Sequence, residues 1–180
     1  NLSYVTVQEG LKKIGDYAFE KCTSLEYISL PHGLTVMGNN TFQGCSKLKE
    51  ARIPEGVSLL GNYAFYNCRE LESISVPDSI TSIGIWAFGY CSKMKEFIFK
   101  DNLKSIQSAA FYGCSGLPAA GLPDSITELG THCFRGCSGI VAIKLPNNIS
   151  AIPYRGFDGC RMSELVIPAS VKVIYAEAFY

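Results

Sequence analysis

At 180 residues, with 47% hydrophobic side chains, the chain is long enough for one or two ordinary domains and too apolar to remain disordered. Its 16 lysines and arginines balance its 16 aspartates and glutamates, so it projects no net field of the kind that draws proteins to nucleic acid or acidic membranes. No run approaches the roughly 20 apolar residues that cross a bilayer, and residues 1–10 hold neither a basic region nor an apolar stretch of signal-peptide type, so membrane insertion by this segment is not expected.

In chain order, Leu2, Val5 and Val7 come first, as the strand positions of a coil without its turn. At Leu11 a longer unit begins, L-x-x-I-G-x-x-A-F-x-x-C-x-x-L-x-x-I-x-L-P, filled by Leu11, Ile14, Gly15, Ala18, Phe19, Cys22, Leu25, Ile28, Leu30 and Pro31. It then recurs: Cys22, Cys45, Cys68, Cys91, Cys114, Cys137 and Cys160 stand 23 residues apart, each three after a phenylalanine. A fixed period decides architecture before local propensity does. Within the unit, L-x-x-I-x-L-P is predicted to be a short strand with one buried face. Proline ends it, because a residue without an N–H cannot continue a parallel ladder. L-x-x-I-G buries two more apolar side chains and reaches a glycine predicted to take a positive φ. A-F-x-x-C has apolar residues at one-turn spacing, which predicts a short helical turn pointing phenylalanine and cysteine inward.

Departures from the unit also come in order. The Cys68, Cys91 and Cys114 coils carry Tyr63, Tyr66, Trp86, Tyr90 and Tyr112 at positions outside the core pattern. Lys100 replaces a proline, Gln107 and Pro153 replace the glycine, and Thr41, Cys133 and Gly156 replace the alanine. Pro168 arrives one residue early, so a residue is missing between Cys160 and Leu165, and Phe179 with Tyr180 closes a coil that lacks its cysteine. No coil could bury its apolar face alone. Stacking at roughly 4.8 Å per strand solves this and gives a rod on the order of 35 Å long.

These elements resemble the BspA-like, or treponemal-type, leucine-rich repeats of bacterial and protozoan surface proteins, and the match runs along the whole chain. The resemblance implies an α/β fold, a curved right-handed solenoid with a parallel sheet on its concave side and short helical turns on its convex side. Residues 1–180 read as one such domain of about seven to eight repeats, a section of a longer array. The resemblance further implies a secreted or cell-surface scaffold that binds host matrix, serum or cell-surface macromolecules, protein or glycan. It implies no shared catalytic residues, no metal and no cofactor, so an enzyme is not expected; the alternative is a stiff spacer that binds nothing.

Two candidate surfaces follow. On the concave side, outward strand positions put forward Glu26, Tyr27, Lys49, Glu50, Arg52, Glu72, Ser75, Lys95, Glu96 and Lys144, with Pro118, Ala119 and Gly121 leaving the fifth coil bare. On the convex side, Tyr63, Tyr66, Trp86, Tyr90 and Tyr112 read either as an exposed interface or, the reading preferred here, as a lining packed flat between coils. The ladder cysteines have parallel side-chain vectors one coil apart, poor geometry for disulfides, and read as buried free thiols. Cys133 beside His132 and near Cys137 superficially suggests a nucleophile or metal site, but His32 is about four coils away and a fourth ligand is lacking; a small core side chain is the expectation. Three sequons begin at Asn1, Asn39 and Asn148.

Overall fold

The computed structural model describes residues 2–180. In chain order its strands are Tyr4–Thr6 (β1), Lys13–Ile14 (β2), Tyr27–Ser29 (β3), Val36–Met37 (β4), Glu50–Arg52 (β5), Leu59–Leu60 (β6) and Ser73–Ser75 (β7). There follow Ser82–Ile83 (β8), Ser105–Ile106 (β9), Ala119–Gly121 (β10), Glu128–Leu129 (β11), Ala142–Lys144 (β12), Ala151–Ile152 (β13) and Val173–Ile174 (β14). Every pairing is parallel and joins a strand to its equivalent in a neighbouring coil, as in Glu50 opposite Ser73 and Leu59 opposite Ser82. The result is a solenoid with three walls: long strands, short strands and turns.

The three-residue strands are the expected L-x-x-I-x-L segments, and in β5, β7 and β12 alternation buries the middle residue and exposes its neighbours. They form the sheets β1-β3-β5-β7 and β10-β12. The interruption falls in the Cys91 coil, where Phe97 and Phe99 occupy the inward positions and only a single bridge, Ser73 to Glu96, continues the ladder. Their rings fill the interior against Phe88 and Phe111, with centroids 4.9–5.4 Å apart. The 23-residue register is kept there, Ser73 standing opposite Glu96, but the ladder shrinks to that bridge. Lys100 nevertheless does proline's work: its carbonyl accepts the Leu103 N–H at 3.0 Å, as the Pro54 carbonyl accepts that of Val57 at 3.1 Å.

A second wall was not foreseen. The L-x-x-I segments pair into a short-strand sheet, β6-β8-β9-β11, extended by the pairs β2-β4 and β13-β14. At its end the expected positive-φ glycine is corrected. Gly38, Gly61, Gly84 and Gly130 all have ordinary φ; a β-carbon on Gly38 would meet the Asp16 amide nitrogen at 2.5 Å, and one on Gly130 the Ser108 nitrogen at 2.3 Å. Close approach of the preceding coil, not handedness, demands glycine there.

The third wall corrects the expected helical turns: A-F-x-x-C contains no helix. Two left-handed residues per coil interrupt it, Tyr63 (φ 55°) and Asn67 (φ 61°) in the Cys68 coil, Trp86 (φ 56°) and Tyr90 (φ 61°) in the next. Around them run turns closed by bonds from one amide to the carbonyl three residues before it, such as Tyr66 N–H to the Tyr63 carbonyl and Cys68 N–H to the Phe65 carbonyl, each 3.1 Å. This geometry aims alternate amides along the solenoid axis: those of Tyr63, Phe65 and Asn67 donate to the carbonyls of Ile85, Ala87 and Gly89 at 2.7–2.8 Å. A continuous helix would have consumed those amides within its own coil.

Inside, the phenylalanines stack from Phe19 through Phe179, with adjacent centroids 5.2–5.8 Å apart. The ladder cysteines are free thiols, as expected. They are also donors: Cys45 Sγ–H reaches the Phe19 carbonyl at 3.1 Å and Cys91 that of Phe65 at 3.2 Å, a bond repeated from Cys45 to Cys160. Burial, reinforced by Cys22, pushes the Cys45 thiol up to about 12, and burial likewise raises Cys68, Cys91, Cys114 and Cys137, keeping each proton on sulfur.

Candidate functional site

On the long-strand wall, β1, β3, β5 and β7 line a shallow hollow of about 440 Å³. Strand alternation turns Tyr4, Thr6, Tyr27, Ser29, Glu50, Arg52, Ser73 and Ser75 outward around it, while Ile28 and Ala51 point into the core. Tyr4 and Tyr27 stack face to face, 5.4 Å between centroids, and Lys49 Nζ lies 5.5 Å from the centre of the Tyr27 ring.

The ten residues put forward for this wall divide. Tyr27, Glu50, Arg52 and Ser75 meet at the hollow. Glu26 pairs with Lys49 and Glu72 with Lys95, each at 2.7 Å, forming a rim in which like residues alternate in charge from coil to coil. The Lys49 and Lys95 ammoniums hold the Glu26 and Glu72 carboxyls below their ordinary range, through hydrogen bonds first and charge second. Glu96 lies on the interrupted coil, and Lys144 belongs to a separate hollow beside Glu164 and Val166, where the one-residue deletion leaves β12 without a strand on its far side. Tyr4 and Thr6 were overlooked, although the strand positions of Leu2, Val5 and Val7 already placed them in the same outward columns as Tyr27 and Ser29.

The aromatic group lies on the turn wall. Tyr66, Trp86, Tyr90 and Tyr112 pack ring against ring, from 4.8 Å for Trp86 with Tyr112 to 6.0 Å for Trp86 with Tyr90, and Tyr63 abuts Tyr66 edge to face. Most are half-buried; Tyr90 alone is exposed, at 41%. Burial, then Tyr112, raises the Tyr90 phenol. Gly89 makes room, since a β-carbon there would meet the Trp86 ring at 2.5 Å. The row ends on Arg135, stacked 5.5 Å over Tyr112 and ion-paired through Nε with the buried Asp158 at 2.9 Å; Arg155 lies between Asp158 and Glu177 and pairs with both. That network was not anticipated, its members lying in different repeats.

Cys133 is buried and raised by desolvation, then by Cys137, while His132 is lowered by burial, then by Arg135 and Arg155. Among the described residues no group of three or more His, Cys, Asp or Glu side chains is arranged to hold a metal. The sequon at Asn1 lies outside the described residues. Asn39 Oδ1 accepts the Asn62 amide at 2.8 Å, and Asn148 Nδ2 donates to the Asp124 carbonyl at 2.6 Å, so both side chains serve the fold. Among the described residues no helix is long and apolar enough to cross a membrane.

Comparison with known proteins follows the same pattern. The sequence profile described as BspA type leucine rich repeat region matches in six copies over residues 1–117 and 58–180. Among solved structures, the T. pallidum leucine rich repeat protein is 25% identical, with a TM-score of 0.58 covering 95% of this chain and 68% of that one. A Bacteroides ovatus leucine-rich repeat protein, 23% identical, gives 0.53 over 96% and 74%. The pneumococcal vaccine antigen PcpA, 19% identical, gives 0.59 over 98% and 64%. Curated protein sequences yield no match.

Proposed function

Because the chain belongs to the BspA type leucine rich repeat family, we propose that it is a binding scaffold on the outside of the cell, secreted or surface-attached, a section of a longer array that grips macromolecules through its long-strand wall. The carrying observation is the hollow over β1, β3, β5 and β7, whose outward side chains are held at fixed spacing by the parallel ladder. Pre-placed side chains lose little freedom on binding, and repetition along an array adds avidity. Matrix, serum or cell-surface molecules are the partners in this reading. Catalysis has no place in it, since the free thiols nearest a histidine are buried and held protonated.

The test is capture from serum and extracellular-matrix extract by the immobilised chain, beside an Arg52→Glu, Lys95→Glu variant that matches its circular dichroism. A partner retained by the parent and lost by the variant supports the reading. Capture of nothing specific by either favours the stiff spacer, and equal capture by both moves the interface to the turn wall.

A further inference from the structure

Several polar side chains on the other two walls are committed to the fold. Asp16 accepts the Asn39 amide, Asn39 that of Asn62 and Asn62 that of Ile85, at 2.7–2.8 Å. Ser79 and Ser125 bond carbonyls of the preceding coil at 2.6 and 2.7 Å, and Ser82 bonds Ser105 at 2.8 Å. The charged rim of the hollow is committed too, through Glu26–Lys49 and Glu72–Lys95. The hollow itself is different. Its six hydroxyls, together with the Glu50 carboxylate and the Arg52 guanidinium, make no side-chain hydrogen bond or ion pair within the chain among the described residues.

The chemistry of those idle groups selects a ligand. Protein partners are gripped chiefly by clusters of desolvated aromatic and apolar anchors, and the hollow offers little of that kind: Ile28 and Ala51 face the core, the Tyr27 ring lies against Tyr4 and Lys49, and the exposed ring is that of Tyr4 in the first strand. What remains is a lattice of hydroxyls around one carboxylate and one guanidinium. A carboxylate accepts from two adjacent hydroxyls and a guanidinium fork donates to two adjacent oxygens, the pattern that a vicinal diol completes. The two charges cancel, which disfavours sulfated or sialylated ligands. Resting on the binding-scaffold reading, we propose that this hollow takes an uncharged oligosaccharide, with Glu50 and Arg52 holding a diol and the surrounding hydroxyls of Ser29, Ser73 and Ser75 completing its hydrogen bonds.

The test is an array of uncharged, sialylated and sulfated oligosaccharides, followed by calorimetric titration of the strongest uncharged hit into the parent chain, Glu50→Gln, Arg52→Met and, as a control, Lys144→Glu. The expected result is binding of uncharged sugars that falls tenfold or more in each hollow variant, the scale of a lost charge-assisted hydrogen bond, with Lys144→Glu unchanged and all melting temperatures alike. Binding confined to sulfated or sialylated sugars, or insensitive to both hollow variants, overturns the proposal. If no sugar binds while serum or matrix capture persists after periodate oxidation of the extract's glycans, the sugar assignment falls and the binding scaffold stands. If neither sugar nor extract yields a ligand, both fall.

Discussion

The turn wall and the long-strand wall are built from the same repeat and meet opposite fates. Along the turn wall the backbone ladder passes from Phe19 to Phe157 without interruption, amide by amide, and side chains such as Asn39 and Asn62 are drawn into it. Along the long-strand wall the sheet breaks at Phe97 and Phe99, the chain remains stacked, and the outward groups of β3, β5 and β7 bond nothing in the fold. Stability in this solenoid therefore rests on its interior and its turns, which leaves the strand wall free to vary.

The largest expected effect probes the interior thiols. Burial raises their folded-state pKa above the ordinary 9.0, so the folded protein keeps protons that the unfolded chain sheds above about pH 9. Stability is then complete below pH 9 and falls as pH climbs toward the folded values, by about 1.4 kcal/mol per pH unit for each buried thiol. Urea denaturation at pH 8, 9 and 10 should show this decline; a flat profile would mean that the thiols ionise in the fold. Next, Phe88→Ala should cost roughly 3–5 kcal/mol, since it removes a fully buried ring stacked on both neighbours. An exposed change on the other wall, Ser75→Ala, should stay within about 0.5 kcal/mol.

A sharper comparison uses two glycines at one motif position. Gly38→Ala drives a β-carbon into the preceding coil's backbone and should cost roughly 1–3 kcal/mol, whereas Gly15, with nothing within 4 Å, should accept alanine with a gain of about 0.4–1 kcal/mol. Equal effects in thermal unfolding would return the explanation to φ. Milder than Phe88→Ala is Cys91→Ser: the hydroxyl keeps a donor near the Phe65 carbonyl, so the cost falls at the low end of the roughly 1–3 kcal/mol that burial of a hydroxyl entails. A melting temperature unchanged from the parent would contradict the placement of Cys91 in the ladder.

Much of this fold was legible because one residue type recurs in one column. Phe19 to Phe157 and Cys22 to Cys160 announced a stacked interior, and Pro31, Pro54 and Pro77 announced where each coil leaves the sheet. The short-strand wall was not legible, since two-residue strands such as Ser82–Ile83 are too short to show alternation. F-x-x-C spacing fits a three-residue turn as well as a helix; the discriminating sign was the run of Gly44, Asn67, Gly113, Gly136 and Gly159 before the cysteines, residues that accept positive φ. At the candidate site, outward columns were readable from the period, but which charges would neutralise one another depended on side-chain reach. Only geometry separates Glu26 and Lys49, which pair, from Glu50 and Arg52, which do not.

The division between a structural turn wall and a recognition wall is tested most directly by hydroxyl-radical footprinting of the chain with and without its captured partner. The account predicts protection of Tyr4 and Tyr27 at the hollow with Tyr90 unchanged. Protection of Trp86 and Tyr90, with Tyr4 and Tyr27 as reactive as in the free chain, would contradict it and make the turn wall the interface.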